Sequence, residues 1–174
     1  MIFEARQYCI IVNMKVLIFT EGTVLMHKSA KDVSRKERVN QVIRNNPMVK
    51  DYKTYIPNSL AVKKIQKWNN QGAEIYYLTS RRDNKEVDEI RNVLIQYSFP
   101  QSENLNYRAE NESYAKVVEK IMPDVLIEDD CESIGGEVEM TYPNINLEAQ
   151  KQIKSVVVRE FEGIDNLSED IELL

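Results

Sequence analysis

The chain has 174 residues, 43% hydrophobic and 29% charged, and 23 Lys plus Arg against 28 Asp plus Glu leave a formal charge of −5. That is one domain's worth of chain with enough apolar content for an ordinary core, which excludes a disordered polyelectrolyte, and no apolar run approaches the ~20 residues of a membrane-spanning helix. A pI near 5.1 with no basic-aromatic ladder argues against nucleic acid as the main partner. Cys9 and Cys131 lack CxxC partners, so neither a disulfide framework nor a structural zinc is expected, and the lone His27 excludes sites built from several imidazoles. The apolar stretch 8–12 is too short for a signal-peptide core, which reads as a cytoplasmic protein.

Apolar runs alternate with helical patterns down the chain. This predicts an α/β fold, a Rossmann-like three-layer sandwich with a mainly parallel sheet of about five strands and a small helical cap insertion. Residues 1–13 read as a leader or an extra strand, since Met14 precedes the first convincing strand, 15–19. That strand ends in Thr20-Glu21-Gly22-Thr23, where Gly22 permits a tight turn. The segment 26–56 follows, basic enough to be either a solvated face or an anion-attracting cover through Lys28, Lys31, Arg35, Lys36 and Arg38. Ser34 is placed to cap a helix reaching Asn45, and Pro47 and Pro57 break the pattern. Asn58 or Ser59 is placed to cap a helix to Gln71, with Ala61, Ile65 and Trp68 on one face and Gly72 at its end.

Residues 73–78 read as the next strand, left through Thr79-Ser80-Arg81-Arg82, before a helix over 84–97 with Val87, Ile90, Leu94 and Tyr97 at helical spacing. A weak strand over 105–108 precedes a helix bearing Tyr114, Val117, Val118 and Ile121. Pro123 stops that helix before the short β-branched run 124–127, which reads as a central parallel strand followed at once by Glu128-Asp129-Asp130. Beyond Gly135-Gly136, residues 147–153 look helical and 155–158 look like a last strand. The main domain is thus expected over 14–160, with 161–174 a frayed acidic tail.

In an open α/β sheet the functional groups gather beyond the C-terminal ends of the parallel strands. Glu21, Asp129 and Asp130 offer the carboxylate oxygens that a hard cation such as Mg²⁺ prefers. Gly22, Thr23, Thr79, Ser80 and Arg81 offer hydroxyls, backbone N–H groups and a guanidinium for phosphate oxygens, and Lys116 can neutralise remaining charge. Each feature alone also has a bland reading, as a turn, a helix entry or a surface lysine; their order and placement at strand ends is what makes the set distinctive.

In that order the motifs resemble those of the haloacid dehalogenase-like superfamily, mostly Mg²⁺-dependent phosphohydrolases on a Rossmann-like sheet. Leu17-Ile18-Phe19-Thr20-Glu21-Gly22-Thr23 stands where the family has DxDGT. Tyr77-Leu78-Thr79 stands at its second motif, Lys116 at the third, and Leu126-Ile127-Glu128-Asp129-Asp130 at the acidic fourth. The resemblance spans 15 to about 158 and implies a small phosphorylated substrate, Mg²⁺, and a cap at the basic insertion.

The nucleophile is where the sequence departs from the family. Aligned on Gly22-Thr23, Phe19 takes the place of the nucleophilic Asp; aligned on the strand, Thr20 does. Glu21 falls on the family's second, acid/base carboxylate, displaced by about one bond length through its extra methylene. Three readings stay open: a phosphohydrolase in which Glu21 activates water directly, a catalytically inactive protein that binds a phosphorylated ligand or a protein partner, and a bare scaffold.

Overall fold

The computed structural model describes residues 13–174. The expected leader or extra strand at 1–13 therefore lies, but for Asn13, outside the described residues. Five strands form one parallel sheet: β1 (Lys15–Phe19), β4 (Glu74–Leu78), β5 (Leu105–Asn106), β6 (Val125–Asp129) and β7 (Lys154–Val158), ordered β5-β4-β1-β6-β7. The chain builds outward from β1 through β4 to β5, then returns to place β6 on β1's other side. That reversal opens a crevice beyond the C-terminal ends of β1 and β6, where open α/β sheets place their ligands.

Alternation along the strands explains the layers. Val16 and Ile18 of β1, Ile75 and Tyr77 of β4, and Val125 and Ile127 of β6 face one core, with α2 (Ala61–Asn70) and α3 (Asn84–Gln96) packed on it. Leu17, Leu78 and Leu126 face the other, covered by α4 (Tyr114–Ile121) and α5 (Leu147–Gln150). Both faces are covered over the central strands β1, β4 and β6, with the edge strand β7 partly open, so the fold is the expected three-layer, Rossmann-like α/β architecture.

The basic segment forms an insertion framed by a two-stranded antiparallel ribbon, β2 (Leu25–Met26) with β3 (Ile56–Pro57). Its helix α1 (Arg35–Ile43) starts at Ser34, whose Oγ accepts from the Glu37 amide at 3.2 Å, and stops two residues earlier than expected because Asn45 takes a left-handed φ of 52°. The insertion has no independent core. Met26, Ala30 and Val39 cluster around Phe161, supplied by the far end of the chain.

That far end is not the frayed tail the acidic composition suggested. Phe161, Ile164, Ile171 and Leu174 are buried, the Trp68 indole donates to the Ser168 carbonyl at 2.9 Å, and Lys64 Nζ donates to that of Leu167 at 2.6 Å. The same segment corrects the expected cap of α2. Neither Asn58 nor Ser59 caps it; Asp165 does, accepting from the Leu60 amide at 3.0 Å and from Ser59 Oγ at 2.5 Å. Sequence spacing cannot announce a cap that arrives from 105 residues away.

Because Ile164 is fully enclosed in the core beneath α2, Ile164→Ala is expected to cost about 2–5 kcal/mol, the range for cavity-forming core truncations. Urea unfolding monitored by Trp68 fluorescence checks this; a loss under about 0.5 kcal/mol, the scale of surface substitutions, would mean that the C-terminal segment is not part of the folding unit.

Candidate functional site

The strand ends open onto a cleft of about 740 Å³. Its floor includes Phe19, Glu21 and Gly22 after β1, Ser80 and Arg81 after β4, Arg108 after β5, Asp129 at the end of β6 and Glu160 after β7. The insertion supplies one wall through Val42, Asn45, Asn46, Val49, Lys50 and Tyr52. Apart from Lys50, that wall is uncharged. Lys28, Lys31 and Lys36 point to solvent, and Arg35 and Arg38 turn instead toward Glu132 and the Phe161 carbonyl.

Gly22 fixes the first loop. Its φ is +82°, and a Cβ there would sit 2.6 Å from Asp129 Oδ2, so only glycine lets the loop lie directly on the β6 carboxylate. Thr23 completes the contact by donating from Oγ1 to Asp129 Oδ2 at 2.9 Å. The loops after β1 and β6 are thereby locked together.

Two charge-specific clusters result. Asp129, Asp130 and Glu160 bring one carboxylate oxygen each within 4.8 Å of one another. Asp129 Oδ1 accepts from the Cys131 amide at 2.9 Å, Asp130 Oδ1 from the Glu160 amide at 3.0 Å, and Glu160 is held by the amide and hydroxyl of Ser133. Burial pushes the Asp129 carboxyl up to about 7, with repulsion from Glu160 and Asp130 adding to it, against the hydrogen bonds from Cys131 and Thr23. Burial likewise raises Glu160. An all-oxygen, oriented and mutually repelling donor set of this kind fits a hard divalent cation.

Glu21 stands apart from this trio, although the sequence reading grouped it with Asp129 and Asp130. Its Oε1 accepts from Thr79 Oγ1 at 2.5 Å and lies 3.6 Å from Arg81 Nε; its Oε2 accepts from Thr20 Oγ1 at 2.7 Å and from the Ser80 amide at 3.1 Å. The phosphate-binding candidates Thr79, Ser80 and Arg81 are therefore assembled as one donor set around a carboxylate.

The other expected residues distribute as follows. Thr20 is fully buried, its hydroxyl turned to Glu21 and the Leu78 carbonyl. Phe19 reaches the cleft instead, with its ring edge-on to Tyr114 at 5.5 Å. Lys116 lies on the exposed side of α4, paired with Glu119 at 2.7 Å, and does not line the cleft. Glu128 is buried and ties down the following loop through the Thr141 and Tyr142 amides. His27 is buried against Phe161, and burial lowers its pKa. Cys131 borders the cleft, but burial and the surrounding carboxylates push its thiol up, so it stays protonated.

Sequence reasoning missed Arg108 and Glu160. Both obey the rule that found the others: each lies two residues beyond the end of a parallel strand, β5 or β7. Arg108 went unnoticed because the expected strand over 105–108 took it in, whereas β5 ends at Asn106, and Glu160 because no chemistry was assigned beyond the last strand.

No protein-family model and no curated protein matches the sequence. Among solved structures the chain is similar to a class C acid phosphatase from Bacillus anthracis, with a TM-score of 0.54 and 15% identity over 87% of this chain and 70% of that one. It is similar also to that class C acid phosphatase with tungstate bound, at 0.52 and 14% over the same shares. The likeness is one of fold, and it agrees with the Rossmann-like α/β architecture expected from the sequence. None of the helices among the described residues is long and apolar enough to cross a membrane.

A carboxyl raised by folding stabilises fully below its unfolded pKa of about 4, and that contribution is lost as pH rises through its folded value. For Asp129, pushed up to about 7, the metal-free protein should lose stability between pH 5 and 8.5. Asp129→Asn should then be the more stable form at pH 8.5 by about 1–3 kcal/mol, and equal to the parent near pH 4. Denaturant titrations of both proteins across that range test this, and a gap independent of pH would remove the electrostatic account.

Proposed function

We propose that this chain is a divalent-metal-dependent phosphohydrolase that takes a small phosphorylated compound in the cleft and transfers its phosphoryl group directly to water. One observation carries the reading: a carboxylate trio suited to a cation, whose Asp129 and Glu160 line the crevice, and a hydroxyl, amide and guanidinium set suited to an anion, whose Ser80 and Arg81 line it, are joined by the Gly22–Thr23 contact to Asp129. The cleft's volume is on the scale of small-molecule sites.

Asp129, Asp130 and Glu160 would hold Mg²⁺, which when bound supplies neutralisation of the phosphate's charge. Thr79, Ser80 and Arg81 orient the phosphoryl oxygens, and Arg108 adds positive charge at the cleft floor. Phe19 carries no nucleophilic atom, and the Thr20 hydroxyl is engaged as a donor to Glu21 and the Leu78 carbonyl with no base beside it once Glu21 moves to the cleft. Water is therefore the nucleophile. Glu21 takes its proton as the new bond to phosphorus forms, the bond to the ester oxygen breaks, and the same proton passes to the leaving alkoxide.

A second reading has its own observation. The ring of Phe19, set edge-on to Tyr114, fills the strand end where the resembled family carries its nucleophile, which suits a protein that binds the same ligands without turnover.

Calorimetric titration with Mg²⁺, with and without phosphate, combined with a phosphate-monoester turnover assay, separates these. The expected result is Mg²⁺ binding that weakens at least tenfold in Asp129→Asn or Asp130→Asn, and Mg²⁺-dependent turnover that falls by about 10²–10⁴ in Glu21→Gln, the usual scale of general-base loss. Binding without turnover selects the second reading. No binding at millimolar Mg²⁺ defeats both.

A further inference from the structure

The anion-binding donors at the end of β4 already hold an anion, and it belongs to the chain. Thr79 Oγ1 accepts from the Arg81 amide at 3.1 Å, which turns its own proton onto Glu21 Oε1. The Ser80 amide and the Thr20 hydroxyl converge on Oε2. Thr20 and Thr79 have no exposed surface, whereas the Glu21 side chain keeps 13% of its own. The carboxylate thus stands between the donors and the cleft. Arg81, whose Nε lies 3.6 Å from Glu21, also bonds the Tyr52 hydroxyl, so the filled donor set is tied to the insertion wall.

We propose that Glu21 is the resting occupant of the phosphate subsite, an internal stand-in that an entering phosphoryl group must displace. This rests on the phosphohydrolase reading above and adds its regulation. A carboxylate and a phosphoryl group ask for the same charge-assisted hydrogen bonds, so the two compete for one set of donors. Tethering keeps the carboxylate at high effective concentration, and a bound ligand must overcome it. Once displaced, the carboxylate faces the cleft and is free to take a proton from water. Exclusion of weak anions and activation of water then belong to one side chain in two positions.

Tungstate and inorganic phosphate serve as probes, titrated calorimetrically in the presence of Mg²⁺. Glu21→Gln keeps the shape and removes the charge, and Glu21→Ala empties the subsite. Both should bind tungstate about tenfold or more tightly than the parent, because a charge-assisted competitor roughly twice as strong as a neutral one has gone. Glu86→Gln removes a like charge from the cleft lining without vacating any Thr79 or Ser80 donor, and should change affinity less than threefold. Thr79→Val should abolish the gain when combined with Glu21→Gln.

In turnover, Glu21→Gln should lower KM and kcat together, whereas a base that never occupied the subsite would lose kcat alone. Tungstate binding that is unchanged or weaker in both Glu21 variants, or a gain that Glu86→Gln reproduces, overturns the occupancy proposal and leaves the phosphohydrolase reading standing. Failure of the parent and both variants to bind either oxyanion overturns both.

Discussion

Everything at the functional edge depends on how closely the first loop approaches the end of β6. Where a Cβ at Gly22 would lie 2.6 Å from an Asp129 oxygen, the backbone itself forms the wall of the carboxylate. The Thr23 hydroxyl then donates to Asp129 Oδ2. This contact sets the spacing between a cation-seeking and an anion-seeking cluster. It is available because the sheet order places β1 between β4 and β6, so that a single loop reaches both neighbours.

The two clusters are balanced differently. The donor set after β4 is neutralised from within by Glu21, down to individual hydrogen bonds. The acidic trio is only partly answered: its oxygens accept from amides and hydroxyls, while a nearby cation, Arg35, lies 3.7 Å from Asp130 and closer, at 2.5 Å, to Glu132. Burial in such company raises the cost of ionisation, which is why Asp129 is pushed up so far. Arg35 and Arg38 reach from α1 to the ends of β6 and β7, so the insertion's basic residues anchor it to the acidic edge more than they attract ligands.

How much of this was legible follows from the range of each signal. β1, β4 and β6 are compact apolar runs, and α3 and α4 carry their own caps in Asp83 and Ser113, so local pattern sufficed for them. The loaded strand ends followed from the same reading. What escaped was long-range. Phe161, Ile164, Ile171 and Leu174 stand at helical spacing but lie in loop and 3-10 structure among many acids, and only the tertiary fold reveals that they close the core. Asp165 caps a helix from the other end of the sequence. Glu21 was grouped with the metal-side acids because it shares their charge, yet its loop turns it toward the hydroxyls after β4.

A bare scaffold would gain by losing these acids. Buried carboxylates that repel one another cost stability near neutral pH, and a single Asn at Asp129 would keep the Cys131 bond, meet Thr23 with its hydroxyl turned to accept, and remove the repulsion. Phe19 carries no nucleophilic atom and Lys116 lies off the cleft, while the oxygen donors suited to a cation and the hydroxyls and amide suited to an anion are in place, the latter around Glu21. The proposed hydrolysis needs only water as nucleophile, and with it the proposed occupancy asks of Glu21 that it move aside when the substrate arrives.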